Sequence, residues 1–548
     1  MKKKILLLYV FAAILISCQT TKIKVDTILF NGIVYTVDKN NTEKEAFAIK
    51  DGKFIAVGTN QSILNQYEAK EMIDANKKAV FPSFNDAHCH FYGYGSFLQE
   101  ANLVGITSFE QILRILKNYH EKNPDKKWII GRGWDQNLWS NNQFPTKKEL
   151  DKLFPNTPVY LSRIDIHAAL VNQKALDLAN INLNTPQPIG GTIEKENGEL
   201  TGILIDNAMQ LVNEKIPSAS LTEIEKSLFD AQEKCFAVGL TSLADAGLDK
   251  KLIDIIDNMQ KEKRLQMRIY AMVSNTPENR AYYLKKGIYK SDFLHIRSFK
   301  IFADGALGSR GACMLHPYHD RPKERGFLLT KPEEFEKNIN EIAKAGFQVN
   351  THCIGDSANK IILGMYAKVL SPKNDRRFRI EHAQVVQEND LEKFEKYAII
   401  PSVQPTHATS DMFWAVDRLG KVRIKRAYSY LDLWKKNQKL ALGSDFPVED
   451  ISPFYTFHAA VARQNADNQP EKGFQMENAL SRQQTLRGMT IDAAFAAFEE
   501  KEKGSIEKDK FADFIILEKD IMKIDLKEIR QTKVIKTFVG GILAYERK

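Results

Sequence analysis

EEFEKNINEIAKAGFQVNTHCIGD, residues 333 to 356, holds both halves of the repeating unit that decides the fold. Its first part, EEFEKNINEIAKA, spaces apolar residues as one face of a helix does, and GFQVNTHCIGD follows as a short apolar run closing on His352. The alternation recurs along the middle of the chain in VGLTSLADAG, LQMRIYAMV, RSFKIFADGA, FRIEHAQVV, AIIPSVQP and KLALGSDFPV. Near-continuous apolar strands separated by amphipathic helices describe a parallel sheet covered on both faces, and about eight such units describe a (β/α)8 barrel of the TIM type. No repeat of fixed short period points to a solenoid.

On either side of this region the texture changes. VDTILFNGIVYTVD and AFAIKDGKFIAVGT read as strands with turns, Asp51-Gly52 being a hairpin signal, and FADFIILEKD and TKVIKTFVGGILAYER repeat that character at the other end. The chain therefore divides into 18–80 and 501–548, two parts of one small β-sandwich domain, and 81–500, the barrel. Residues 95–230 fit the alternation poorly, with GRGWDQNLWSNNQFP and NTPQPIGGTIEKENGELTG rich in Trp, Asn, Pro and Gly, and are read as an insertion near the barrel start that covers its mouth.

With 43% hydrophobic and 27% charged residues among 548, the composition is that of an ordinary globular protein with a large core. The first residues differ. MKKKILLLYVFAAILISC has a tri-lysine start and an apolar run from Ile5 to Ile16, too short to span a membrane, and reads as a signal peptide over 1–17. LISC resembles a bacterial lipoprotein box with Cys18 as the lipidated residue. With Gln19 and Thr20 following and no acidic cluster, the expected place is the outer membrane, facing the periplasm, with the lipid as the only membrane attachment. Removing Lys2, Lys3 and Lys4 lowers the formal charge from +9 to +6, and no basic run indicates nucleic acid. Cys89, Cys235, Cys313 and Cys353 are scattered and form no disulfide framework.

Chemistry in such a barrel gathers at the C-terminal strand ends. In FPSFNDAHCHF, residues 81 to 91, a period of two puts His88 and His90 on one face, from which both imidazoles reach a single ion; alone, the pair fits a polar loop equally well. The alternate residue Cys89 then packs outward, as does Cys353. RSFKIFADGALGSR sets Lys300 inside an apolar strand, costly unless the amine is paired or modified. His352, His382 and Asp445 each terminate an apolar run. Asp86 shares the face of His88 and suits a supporting hydrogen bond better than ligation.

As a set, VFPSFNDAHCHF, KIFADGALGSRGA, THCIGD, RIEHAQ, PSVQPTH and GSDFPV resemble the amidohydrolase superfamily of metal-dependent hydrolases, in the amidohydrolase 3 branch that includes N-substituted formamide deformylases. The likeness runs from about residue 24 to the C-terminus; Ser83 departs from it where the family usually has glycine. The resemblance implies a divalent cofactor, Zn²⁺ first with Mn²⁺ or Fe²⁺ as alternatives, as one or two ions. His88, His90 and Asp445 would bind one ion and His352 and His382 a second, with Lys300 bridging as a carbamate formed with CO₂. Asp445 would act as general base toward water and pass the proton to the leaving nitrogen, and the metal, helped by His382 or another strand-end donor, would polarise the carbonyl.

The implied activity is hydrolysis of a non-peptide C–N bond, an amide, N-formyl or cyclic amide, in a small molecule with an apolar substituent. Tyr92, Trp134, His167 and Arg310 are the candidates for holding it; a homodimer is compatible with the reading. Deaminase or ester chemistry at the same metal site is the nearest alternative, and a non-catalytic ligand-binding lipoprotein the more distant one.

Overall fold

The computed structural model describes residues 22–548 other than 142, 165, 167, 189 and 190. The proposed signal peptide, Cys18 and His167 lie outside the described residues. Among the described residues no helix is long and apolar enough to cross a membrane.

Among the described residues eight parallel strands form the central sheet, with the short strand Tyr289–Lys290 added antiparallel on the fourth: β1 (Phe84–Cys89), β2 (Leu240–Leu248), β3 (Arg268–Ser274), β4 (Leu294–Phe302), β5 (Gln348–Cys353), β6 (Arg379–His382), β7 (Ile400–Val403) and β8 (Ala441–Leu442). They pair in chain order. The segment after β8 closes the ring on β1: Asp445 N–H donates to His88 C=O at 2.8 Å. At this seam Gly443 is obligatory, because a Cβ there would stand 2.5 Å from the His88 nitrogen and 2.8 Å from Asp86 Oδ1. The chain thus makes a (β/α)8 barrel, and the seam brings β1 and Asp445 together.

Helices follow the strands for visible reasons. Pro332–Lys344 starts with proline at its first turn, buries Phe335, Ile339 and Ile342 on one face, and stops before Gly346, whose φ is +84°. Leu221–Ala237 is fixed by a capping box between Ser220 and Glu223. Cys89, Cys235 and Cys353 are fully buried in the layer between strands and helices, so the alternate-face reading of Cys89 and Cys353 describes their packing.

The two chain ends build two sheets. One orders Lys53–Gly58, Ala46–Lys50, Ile23–Phe30 and Tyr67–Asp74; the other orders Ile542–Glu546, Val534–Val539, Phe514–Leu517, Ala79–Pro82, Ile33–Tyr35 and Glu43–Lys44. The Asp51-Gly52 hairpin turn has both residues at positive φ, +50° and +75°, as a two-residue turn matched to strand twist requires. Phe47, Phe54, Phe514 and Phe538 fill the core between the sheets. Arg268 on β3 joins them to the barrel through a buried two-pronged pair with Asp513, at 2.6 and 2.9 Å.

Between β1 and β2 a third sheet of six strands runs from Ala101–Asn102 to Glu199–Asp206 and carries its own core around Trp134, Trp139 and Leu161. It is followed by the short helix Asn207–Asn213. The helix Leu221–Ala237, which begins inside the stretch read as insertion and runs past its end, packs in the barrel's own core.

Candidate metal centre

The C-terminal ends of β1, β4, β5 and β6 and the segment after β8 bring His88, His90, Lys300, His352, His382 and Asp445 together. His88 Nε2 lies 3.5 Å and His90 Nε2 3.2 Å from Asp445 Oδ1. The ring of His382 is 4.8 Å from that of His88 and 4.5 Å from that of His352, centroid to centroid. Lys300 Nζ is buried and donates to His88 Nε2 at 3.1 Å.

Two of the rings, those of His88 and His382, are turned by a partner behind them. His88 Nδ1 is 2.5 Å from Glu381 Oε2, and since a carboxylate only accepts, the proton sits on Nδ1 and the Nε2 lone pair faces the cluster. Glu381 is in turn held by Arg379, with Nε 2.6 Å from Oε1 and an NH2 nitrogen donating to Oε2 at 2.9 Å, all three groups being fully buried. His382 Nδ1–H donates to Gln404 Oε1 at 2.8 Å, which again leaves Nε2 inward as a lone pair. Asp86 accepts from His88 N–H at 3.0 Å and from the Ser444 hydroxyl at 2.6 Å, bracing the seam that carries Asp445, and burial pushes its carboxyl up to about 7. His382 and Asp445 both stand at positive φ, +71° and +62°, a strained backbone for residues with a Cβ and one that persists where surrounding contacts impose it.

The electrostatics favour a cation. Burial, with Lys300 adding to it, lowers His88 to about 4 and His352 to about 3, and burial with the neighbouring histidines drives His382 well below its usual value. Burial lowers Lys300 to about 8. Burial would raise Asp445, but His90, His88 and His382 outweigh it and keep the carboxylate ionised. At neutral pH His88, His352 and His382 are thus neutral imidazoles beside the ionised Asp445, the ligand forms a divalent ion requires, while the Lys300 amine still holds most of its proton and must lose it before the residue can ligate.

The donor set passes a geometric test as well. Ligand atoms of His88, His382 and Asp445 all lie within 4.8 Å of one another. His352 Nε2 and Asp445 Oδ1 are buried without a hydrogen-bond partner, and an orphaned buried polar atom costs about 1–3 kcal/mol. A bound cation would satisfy both, and the nitrogen and oxygen donors suit Zn²⁺ or a similar ion.

Above the cluster opens a cavity of about 780 Å³. Its apolar wall includes Ile166, Phe302, Phe327, Leu329 and Trp414, and the insertion contributes Tyr160 and residues of the helix Asn207–Asn213. Three residues read from sequence as substrate-binding do not line it. Trp134 is buried in the insertion's own core beside Trp139, its indole N–H donating to Leu161 C=O at 2.8 Å. Tyr92 packs against the barrel core from the helix Phe91–Phe97. Arg310 is spent on Asp320 at 2.6 Å, a carboxylate it shares with Arg418. For His382, read as helping to polarise the carbonyl, the Nδ1 contact with Gln404 turns the other ring nitrogen toward the cluster, an orientation that suits ligation. His407, in PSVQPTH, lines the cavity and escaped the sequence reading because it follows a strand end instead of forming one.

The sequence profile described as Amidohydrolase family matches residues 71–545. YtcJ of Bacillus subtilis (strain 168), named provisionally as an amidohydrolase, is 32% identical over 524 residues, covering 94% of this chain and 98% of the relative. N-substituted formamide deformylase of Arthrobacter pascens is 26% identical over 557 residues, covering 95% of this chain and 98% of that enzyme. Among solved structures, an uncharacterized metal-dependent hydrolase from Pyrococcus horikoshii OT3 superposes with a TM-score of 0.78 at 28% identity, covering 91% of this chain and 99% of that one. Barrel, donor cluster and these likenesses agree: the chain belongs to the amidohydrolase family of metal-dependent hydrolases.

Proposed function

We propose that the enzyme hydrolyses a non-peptide C–N bond, an amide, N-formyl or cyclic amide, in a small molecule with an apolar substituent. His88, His90, His352, His382 and Asp445 would hold the metal, read as Zn²⁺, and Lys300 would join them as an anionic oxygen ligand once its amine has added CO₂ and released a proton. A divalent ion supplies Lewis acidity there, bringing water toward ionisation at neutral pH and polarising a carbonyl. Asp445, buried and ionised, takes the proton of the attacking water as that oxygen bonds to the carbonyl carbon. When the C–N bond breaks, the same carboxyl delivers the proton to the departing nitrogen, leaving an amine and a carboxylate.

The observation that carries the reading is the buried Asp445, one oxygen of which lies against two imidazoles at the floor of a largely apolar cavity. The likeness to N-substituted formamide deformylase over almost the whole chain supports the bond type. The wall narrows the substrate further. Asp206, Glu214, Asp411 and Glu449 line it, burial pushing Asp411 and Glu449 up to about 7, and Lys300 is the sole lysine or arginine among the described lining residues, so the wall offers an anionic tail no cation of its own beyond the metal cluster.

Asp445→Asn tests the assignment. It should retain metal through the histidines while turnover falls about 10²–10⁴-fold, the usual contribution of a positioned acid–base group. Full activity in this variant would refute Asp445 as the base.

A further inference from the structure

We propose that His407 is a catalytic residue of this site, an N–H donor that holds the substrate's carbonyl oxygen as negative charge develops on it. The proposal rests on the hydrolase reading above. His407 stands on the short helix Pro405–Asp411, directly after β7. Its backbone N–H donates to Gln404 C=O at 3.1 Å, and the side chain of Gln404 orients His382, so both histidines are tied to one residue, His407 through its backbone and His382 through its ring. The two rings lie nearly parallel, 19° apart, with centroids 5.8 Å from each other.

The chemistry of His407 is the inverse of the ligand histidines. Those of known partner, His88 and His382, turn a proton outward to an acceptor and a lone pair inward. His407 Nε2 faces Asp445 Oδ2 at 3.6 Å, is buried, and has no hydrogen-bond partner. Two lone pairs would repel in that position, so the nitrogen facing the carboxylate is the one that carries the proton. At 3.6 Å the pair is too far apart for a direct hydrogen bond, and the N–H is left for a third group seated beside Asp445. The carboxylate is divided accordingly. Oδ1 faces His88 and His90, whereas Oδ2 faces His407. A carbonyl brought against the base therefore meets a fixed donor, worth most in a site closed to water.

The test uses the full-length, metal-loaded enzyme and the variants His407→Ala and His407→Asn, the second keeping an N–H donor at reduced reach. For His407→Ala the expected result is a kcat about 10²–10³-fold lower with KM within about threefold, the effect of deleting one oxyanion donor. Metal stoichiometry should match wild type. A phosphonamidate mimic of the tetrahedral intermediate should bind about 10²-fold more weakly, a readout independent of turnover. His407→Asn should recover part of both losses. Loss of bound metal would make His407 a ligand and overturn the proposal. So would a kcat within threefold of wild type, or equal weakening of substrate and mimic. A wild-type enzyme that cleaves esters and no amide would sink the C–N reading alone; the His407 comparison is then read with an ester and a phosphonate.

Discussion

Replacing Glu381 by glutamine keeps the shape of the side chain and removes its charge, which separates what it does for His88 from what it does for the fold. Glu381 lies 2.5 Å from His88 Nδ1 and is paired with Arg379 at 2.6 Å, and none of the three is exposed. Burial would raise its carboxyl, but Arg379 and His88 outweigh this and hold it at about 2. Loss of an outer partner of a metal-binding histidine typically weakens metal binding about 10–100-fold, about 1.4–2.7 kcal/mol. Leaving the Arg379 charge buried without a counter-charge costs a further ~3–5 kcal/mol of stability, present in the metal-free protein too. Zn²⁺ titration of the apo-protein against a competing chelator reads the first effect, and urea unfolding of the apo-protein reads the second. Glu388→Gln, which breaks the exposed pair with Arg426, is the control and should change neither. Wild-type metal affinity and wild-type apo stability in Glu381→Gln would refute the role assigned to this buried chain of partners.

Further outcomes follow from the cavity and from the barrel floor. Trp134→Ala should destabilise the insertion by about 3–5 kcal/mol in chemical denaturation, the range for emptying a large aromatic site, whereas Trp414→Ala should raise KM for apolar substrates with metal content unchanged, since Trp414 lines the cavity. Glu499 is buried against Lys503 at 2.6 Å and His295 at 3.3 Å; burial would raise its carboxyl, but these neighbours outweigh burial and hold it at about 2. Its pKa is depressed on folding, so its contribution is complete above an unfolded value of about 4.3 and is lost as pH falls from there toward 2. Acid titrations of stability should therefore differ between wild type and Glu499→Gln by about 3 kcal/mol over that window, the wild type losing more.

How far the sequence could be read follows from which residues announce themselves locally. His88, Lys300, His352 and His382 each break an apolar strand, and Asp445 follows one closely, so parity and the parallel alternation were enough to bring them to one end of a barrel. The hairpin at Asp51-Gly52 and the strands at both chain ends were legible for the same local reason. Trp134 and Trp414 look alike in sequence, an aromatic in a polar, turn-rich stretch, and only tertiary contacts send one into the insertion's core and the other to the cavity. Arg310 could not be separated from a substrate anchor because its partner Asp320 is an ordinary loop carboxylate until the chain folds. His407 carried a weaker signal, a histidine two residues beyond a proline rather than at the end of an apolar run, and its function depends on Asp445, supplied from after β8. The helix Asn207–Asn213 reaches the cavity from the far end of the insertion, a placement no local pattern encodes.

If the cluster binds a metal and uses it to cleave a C–N bond, activity must come and go with the metal. The most direct measurement is amine release from N-formyl and N-acyl amines bearing apolar groups, by the purified enzyme as loaded, after complete chelation, and after Zn²⁺ is restored. Amine should be released by the loaded enzyme, release should cease with loss of the metal, and it should return when Zn²⁺ is restored. Release that survives complete metal removal, or a metal-loaded enzyme that releases amine from none of these substrates, would contradict the proposed metal-dependent cleavage.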